Sequence, residues 1–120
     1  MTDRDTTIST LKEQIHALCL RKNWGVDGVQ NPQHVAMAMT VEMSELLEHF
    51  QWLEPDDIDA LLKGGDAGRV ALIAEEFADV MMYGLQLMSA LNIDVTQAIL
   101  NKIGIVDKRD NARRKAEQPV

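Results

Sequence analysis

The sequence predicts an all-α domain, and three observations lead to that prediction. Hydrophobic residues make up 46% of the 120 residues and aromatic residues only 4%, a balance that favours helices over strands. Apolar residues recur at helical spacing in four long segments, and no segment shows the alternation of a strand. A chain of this length has room for one core. We therefore expect a single helical domain over residues 1–120, with its core at about 7–111 and a polar tail at 112–120.

Helices one and two are delimited by signals near their starts. Helix one is predicted at about residues 7–22, where Thr10 and Glu13 have capping-box spacing, although the helix can also begin one turn earlier. A loop with two glycines follows. Asn31 before Pro32 marks the start of helix two, because Asn caps helices and proline fits their first position. Helix two is predicted to reach about Trp52.

The second half of the chain predicts three further helices. A short helix at about residues 58–62 precedes Gly64-Gly65. Asp66 then caps helix three, which should run to about Leu91. Asp94 and Gln97 have the spacing of a capping box for helix four, which should end after Asp110. The prediction is thus a four-helix bundle with a short extra helix between helices two and three.

Two pairs of acidic residues are the most informative feature of the sequence. Glu42 and Glu45 lie three residues apart in helix two, and Glu76 and Asp79 have the same spacing in helix three. Residues three apart share a helix face, so four carboxylates converge if these helices pack together. Such a cluster requires a cation, and carboxylate oxygens suit Mg²⁺, with Mn²⁺ as a substitute. Spacing alone leaves open the alternative that these are ordinary surface acids. Glu48 points away from the pair and is expected to be solvated.

Other classes of protein are disfavoured by composition and spacing. Helical di-iron proteins use Glu-x-x-His pairs, whereas His49 follows Glu45 at the fourth position and helix three has no histidine. The single cysteine, Cys19, lies in an apolar segment and is predicted to be a core residue. The net charge of −7 does not suit a nucleic-acid polymer as partner. No apolar segment is long enough to predict a membrane span, and we expect a cytoplasmic protein.

Two aromatic residues follow the acidic pairs. Trp52 comes near the end of helix two, and Tyr83 lies one turn after Asp79. A nucleobase can stack on either ring. Two interpretations remain open from position alone, namely that these rings bind a base or that they close the ends of the bundle.

The segments around the acidic pairs resemble a known family. Residues 42–52, with the sequence EMSELLEHFQW, followed by EEFADV at residues 75–80, look like the MazG-like, all-α nucleoside triphosphate pyrophosphohydrolases, and in particular their dCTP-pyrophosphatase-like branch. The resemblance covers about residues 24–111. It implies a four-helix core, a homodimer or homotetramer, and Mg²⁺-dependent hydrolysis of a (deoxy)nucleoside triphosphate to the monophosphate and pyrophosphate.

The resemblance also implies roles for individual residues. Glu42, Glu45, Glu76 and Asp79 would be the metal ligands, and Glu45 is the candidate for general base. Substrate-binding positions would be Trp52, Tyr83, Lys108, Arg109 and Asn111. One departure is Gln30, which stands where close relatives often have a histidine, so specificity for cytosine is not carried over.

Two functions are therefore predicted for testing. The first is an enzyme that hydrolyses nucleoside triphosphates with Mg²⁺, and the removal of unwanted nucleotides from the pool is its candidate role. The alternative is a non-catalytic helical module that binds a nucleotide or a protein partner and keeps the acidic residues as remnants.

Overall fold

The computed structural model describes residues 1–117 and contains five helices in that range. The helices are α1 (Ile8–Arg21), α2 (Pro32–Glu48), α3 (Pro55–Leu62), α4 (Ala67–Ala90) and α5 (Val95–Glu117). Between residues 1 and 117 there is no strand, only an isolated bridge between Val26 and Val29. The predicted all-α fold class is confirmed, and α3 is the short extra helix.

The caps predicted from sequence are present. The side chains of Asn31 and Asp66 accept hydrogen bonds from backbone N–H groups in the first turns of α2 and α4. Asp94 does the same at the start of α5, where its Oδ1 accepts from the backbone N–H of Gln97 at 2.8 Å. Helix α1 begins one turn before the predicted capping box, because Thr7 is the residue that caps it.

The boundaries between α2 and α3 differ from the prediction. Helix α2 ends at Glu48 rather than near Trp52, and residues 49–53 form tight turns. Helix α3 begins earlier than predicted, at Pro55, because Glu54 and Asp57 form a capping box there. Glu54 has an extended backbone, as the residue before a proline prefers. The tight turns at residues 49–53 thus separate α2 from α3.

Helices α2 and α4 form the best-packed pair and run antiparallel. In the middle of α2 the Met39 side chain lies against Gly84, where a Cβ atom would be 3.3 Å from Met39 Cε. At the end of α2, Arg69 donates a hydrogen bond to the backbone carbonyl of His49. Helix α1 also packs on α4, and Cys19 is fully buried as predicted. This antiparallel arrangement brings the two acidic pairs to the same level.

Helix α5 extends away from the other helices. It makes at most isolated contacts with them, and every residue from Thr96 to Glu117 is exposed. The helix continues through residues 112–117, which belong to the predicted polar tail, whereas residues 118–120 lie outside the described range. None of the described helices is long and apolar enough to cross a membrane.

Candidate active site

Three of the four predicted carboxylates meet between α2 and α4. One carboxylate oxygen from each of Glu42, Glu45 and Glu76 lies within 4.8 Å of the other two. Glu42 and Glu76 are half-buried, whereas Glu45 is exposed to solvent. The arrangement follows from the i, i+3 spacing of the first pair and from the packing of α4 across that face. The sequence thus correctly placed these side chains together.

The electrostatics of the cluster are unfavourable for the negatively charged forms. Removal from water, followed by the negative charge of Glu45, raises the pKa of the Glu42 carboxyl above its usual value. The same two causes raise the pKa of Glu76, and nearby His49 opposes that increase. The His49 ring is 3.9 Å from a Glu76 oxygen. The folded chain therefore holds carboxylates where their own charges repel one another.

The unpaired oxygens of the cluster test whether a cation fits. Oε2 of Glu42 and Oε2 of Glu76 are both buried and have no hydrogen-bond partner. Buried acceptors without a donor are costly, and a divalent cation satisfies carboxylate oxygens and cancels their repulsion. Three oxygen ligands with no sulfur or nitrogen in the group match the preference of Mg²⁺ or Mn²⁺. The residues present fit such an ion.

Asp79 lies beside this group rather than within it. Its charge contributes to the raised pKa of both Glu42 and Glu76, so its carboxylate is close enough to act on the cluster. It is not one of the three residues whose oxygens lie within 4.8 Å of one another. Its role as a fourth ligand stays a prediction. Glu48 is exposed and outside the group, as predicted.

An open cleft lies further along α4, beside Tyr83. It has a volume of about 810 Å³ and is lined by Tyr83, by the loop that carries Trp24, and by the start of α2 with His34. The loop is shaped by a tight turn in which Val26 and Val29 exchange backbone hydrogen bonds at 3.0 Å. Asp27 and Gly28 at its centre both have positive φ angles, 55° and 76°, as a two-residue hairpin turn requires.

Sequence reasoning did not identify Trp24 and His34 as site residues, and it noted Gln30 only as a departure from the pattern of close relatives. All three line the cleft with Tyr83. The available signal was the loop itself, which contains two glycines and one of the two tryptophans of the chain. That signal does not show which helix the loop faces, and the structure shows that it faces α4.

Four other predicted substrate-binding residues are not brought to this cleft. Trp52 follows α2 and is 81% exposed, and it does not line the cleft that contains Tyr83. Since α2 and α4 are antiparallel, Trp52 and Tyr83 lie toward opposite ends of the helix pair. Lys108, Arg109 and Asn111 are exposed on α5, which leads away from the other helices. Their roles stay predictions.

A comparison with known protein families identifies the family of this chain. The profile of the MazG-like family matches residues 37–117, which is most of the sequence and contains all four acidic positions. The chain belongs to the MazG-like family. The resemblance noted from the acidic pairs is thereby confirmed.

Curated relatives of this MazG-like chain carry a specific name. The chain is 30% identical over 91 residues to dCTP pyrophosphatase 1 of Bos taurus, covering 75% of the chain and 52% of that protein. It is 28% identical over 97 residues to dCTP pyrophosphatase 1 of Homo sapiens, covering 80% of the chain and 55% of that protein. The chain thus spans about half the length of the curated relatives it matches.

A solved structure supports the fold of the MazG-like chain. It is the crystal structure of a pyrophosphatase from Archaeoglobus fulgidus DSM 4304, with a TM-score of 0.71 and 23% sequence identity. The match covers 91% of this chain and 96% of that chain. Similarity at this level of identity establishes the shared fold.

Proposed function

We propose that the chain is a nucleotide pyrophosphohydrolase that uses Mg²⁺ to convert a (deoxy)nucleoside triphosphate to the monophosphate and pyrophosphate. The observation that carries the proposal is the group formed by Glu42, Glu45 and Glu76, whose oxygens lie within 4.8 Å of one another. Glu42 and Glu76 each have one carboxylate oxygen that is buried without a partner. Membership of the MazG-like family and the names of the curated relatives support the same reaction.

Each carboxylate has a role in this proposal. Glu42, Glu45 and Glu76 hold the metal, and Asp79, whose charge acts on the group, completes the ligand set. When bound, Mg²⁺ supplies charge neutralisation for the triphosphate and lowers the pKa of a coordinated water; Mn²⁺ is expected to substitute. Glu45 is the exposed member of the group. Its solvent-facing oxygen can accept a proton from the attacking water, so we propose it as general base.

The cleft beside Tyr83 is the proposed site of the nucleoside. Asp79 and Tyr83 are one turn apart on α4, so a substrate that spans them places phosphates at the acidic group and its base toward Tyr83 and Trp24. Aromatic faces bind bases by stacking. No lysine or arginine lines this cleft among the described residues. Neutralisation of the triphosphate therefore depends on the metal and on basic residues from elsewhere.

We further propose that the chain functions as a homo-oligomer, either a dimer or a tetramer. Its accessible surface is 9471 Å², whereas a folded monomer of this size exposes about 6,500 Å². The difference, about 3,000 Å², exceeds the roughly 800 Å² that each partner contributes to a standard interface. Only four hydrophobic residues of the described chain are buried. The surface therefore resembles that of a subunit whose core is completed by association.

A second copy also explains the residues that the chain does not bring to its own cleft. In this proposal Trp52, Lys108, Arg109 and Asn111 reach a nucleotide across the subunit interface, where the basic side chains meet its phosphates. Location in the cytoplasm and organisation as one domain stay predictions.

The reaction is tested with a panel of standard and modified (d)NTPs and Mg²⁺. Nucleotide products are separated and pyrophosphate release is followed. We expect monophosphate and pyrophosphate in equal amounts, no turnover with EDTA, and a loss of at least about a hundredfold in kcat for Glu45→Gln, the scale on which a directly acting group contributes. The matched control is Glu48→Gln, three residues away on a solvated face of the same helix, which should retain activity. If no triphosphate is hydrolysed by the folded protein, the non-catalytic binding module is favoured instead.

A further inference from the structure

A second, more enclosed cavity lies behind the cleft. It has a volume of about 330 Å³ and lies between α1, the 26–30 loop and α4. Its walls include Ile15 and His16 of α1, Val29 and Gln30 of the loop, and Gln86 and Ala90 of α4. The volume is within the range of sites for small organic ligands. Most of its surface is apolar, with a few polar groups that can orient a ligand.

Among the residues that line this cavity, Gln86 has a buried polar atom without a partner. Its Oε1 atom is buried and no hydrogen-bond donor in the described chain reaches it. Two neighbouring polar groups have hydrogen-bond partners elsewhere. Lys12 donates to the backbone carbonyl of Ile93 at 2.6 Å, and the His16 ring forms a hydrogen bond with the carbonyl of Asp27 at 2.9 Å. Buried acceptors in folded proteins are nearly always paired. A ligand that carries an N–H group would supply the missing donor.

The cavity adjoins the proposed nucleoside cleft. Val29 and Gln30 line both of them, so the two spaces adjoin at that part of the loop. At about 100° per residue, Glu76, Asp79, Tyr83 and Gln86 lie within about 80° of one another around α4. The rise from Asp79 to Gln86 is about 10 Å. A ribose and a base can span that length along this side of α4.

We propose that the base of the substrate extends past Tyr83 into this cavity and that Gln86 determines which base is accepted. The proposal rests on the proposed function and adds to it the residue that reads the base. The Gln86 carboxamide accepts a hydrogen bond from a ring N–H or exocyclic amino group, and its N–H₂ donates to the neighbouring base acceptor. Glutamine pairs with bases in this two-point manner in nucleic-acid complexes. The apolar walls exclude water from the pair.

The test compares the four standard dNTPs on the wild-type protein, Gln86→Met and Gln86→Glu. Methionine keeps the shape of the side chain and removes its hydrogen bonds, whereas glutamate keeps the shape and changes the acceptor pattern. We expect Gln86→Met to lower kcat/KM for the preferred base about ten- to a hundredfold, the scale of one two-point base contact. Its kcat at saturation should change little. Gln86→Glu should alter the order of preference, because it favours bases that present two adjacent donors.

Controls separate this inference from the proposed reaction. Gln14→Met makes the same change on an exposed part of α1 and should leave every kcat/KM ratio unchanged. Turnover with ratios that stay within about twofold in both Gln86 variants would overturn the assignment of Gln86 while leaving the reaction intact. If no dNTP is hydrolysed, calorimetry with the four deoxynucleoside monophosphates in EDTA replaces the kinetic readout. Weaker binding by Gln86→Met supports the base site without the reaction, and unchanged or absent binding overturns it.

Discussion

Helices α4 and α5 are almost equal in length, with 24 and 23 residues, yet α4 packs against other helices and α5 is exposed along nearly its whole length. Helix α4 packs against α1, α2 and α3 and contains the buried residues Val80 and Leu85. Helix α5 also has a stripe of apolar residues, formed by Ile99, Ile103 and Val106, but no residue of it is buried. Apolar spacing therefore defines a face of a helix without showing whether the same chain covers that face.

The largest expected effect concerns the bare face of α5. Ile103 is 58% exposed in one chain and lies at the centre of the stripe. If a second copy covers this stripe, Ile103→Asp places an unpaired charge in an apolar interface. Breaking such an interface by about 3 kcal/mol raises the dissociation constant about a hundredfold. Sedimentation velocity over a range of protein concentrations measures that change.

The matched control for the interface is Asn101→Asp. Residue 101 lies on roughly the opposite side of α5 from residue 103, so this variant adds the same charge outside the stripe and should associate normally. A wild-type protein that stays monomeric at high concentration would contradict the proposed oligomer. Equal association of Ile103→Asp and wild type would show that copies meet through other surfaces, such as those of α2.

The contrast between the helices also shows what the sequence could predict. The starts of α2 and α4 were predicted correctly because Asn31 and Asp66 cap their own next turn, which is a local interaction. The end of α2 was predicted too late, because the chain leaves the helix in tight turns at residues 49–53 that no local sequence signal marked.

The candidate site likewise contains some residues whose proximity the sequence predicted and others whose proximity it did not. Spacing on two helices predicted that four carboxylates converge if these helices pack together, and the structure brings three of them together, those of Glu42, Glu45 and Glu76. The sequence did not predict that Trp24 and Tyr83 line the same cleft, because their proximity depends on the path of a loop. In that loop Asp27, a residue other than glycine, adopts a positive φ. The unpartnered state of Gln86 depends on three elements that meet only in the folded chain.

A smaller effect, on the free energy of unfolding, is expected when a glycine is replaced by alanine in α4 and in α5. Gly104 of α5 has open space where a Cβ atom would be, whereas a Cβ atom at Gly84 of α4 would lie 3.3 Å from Met39 Cε. Gly104→Ala should raise the free energy of unfolding by about 0.5–1 kcal/mol, because alanine is the better helix former. At Gly84 the displacement of Met39 should cancel part or all of that gain.

Urea unfolding of both alanine variants against wild type provides the measurement. Equal gains at residues 84 and 104 would show that the approach of α4 to α2 does not need a glycine. A loss of stability for Gly104→Ala would mean that a second copy packs closely on that side of α5, away from the stripe of Ile103. The pair of variants thus distinguishes a face covered within the chain from one covered by another chain.

The smallest expected effect is a pH dependence of the free energy of unfolding that arises from the carboxylates between α2 and α4. Burial and mutual repulsion raise the pKa of Glu42 and Glu76 above the ordinary value of 4.5. The folded chain therefore binds more protons than the unfolded chain above about pH 4.5, and the metal-free protein should lose stability as pH rises through the raised pKa values. The lowered pKa of Asp66 has the opposite effect, because the stability that it contributes is lost as pH falls below the ordinary value of 3.8. The two effects on stability therefore occur in separate pH ranges.

Urea unfolding in EDTA between about pH 5 and pH 8 measures this dependence. Glu42→Gln should flatten the profile and stabilise the metal-free chain at the upper end, because the amide removes one repelling charge from the group. Glu48→Gln, outside the group, should leave the slope unchanged. Saturating Mg²⁺ should also remove the loss of stability, since a cation that binds the folded state stabilises it by mass action. A wild-type profile that rises toward pH 8 without metal would show that the carboxylates of α2 and α4 do not repel one another in the folded protein.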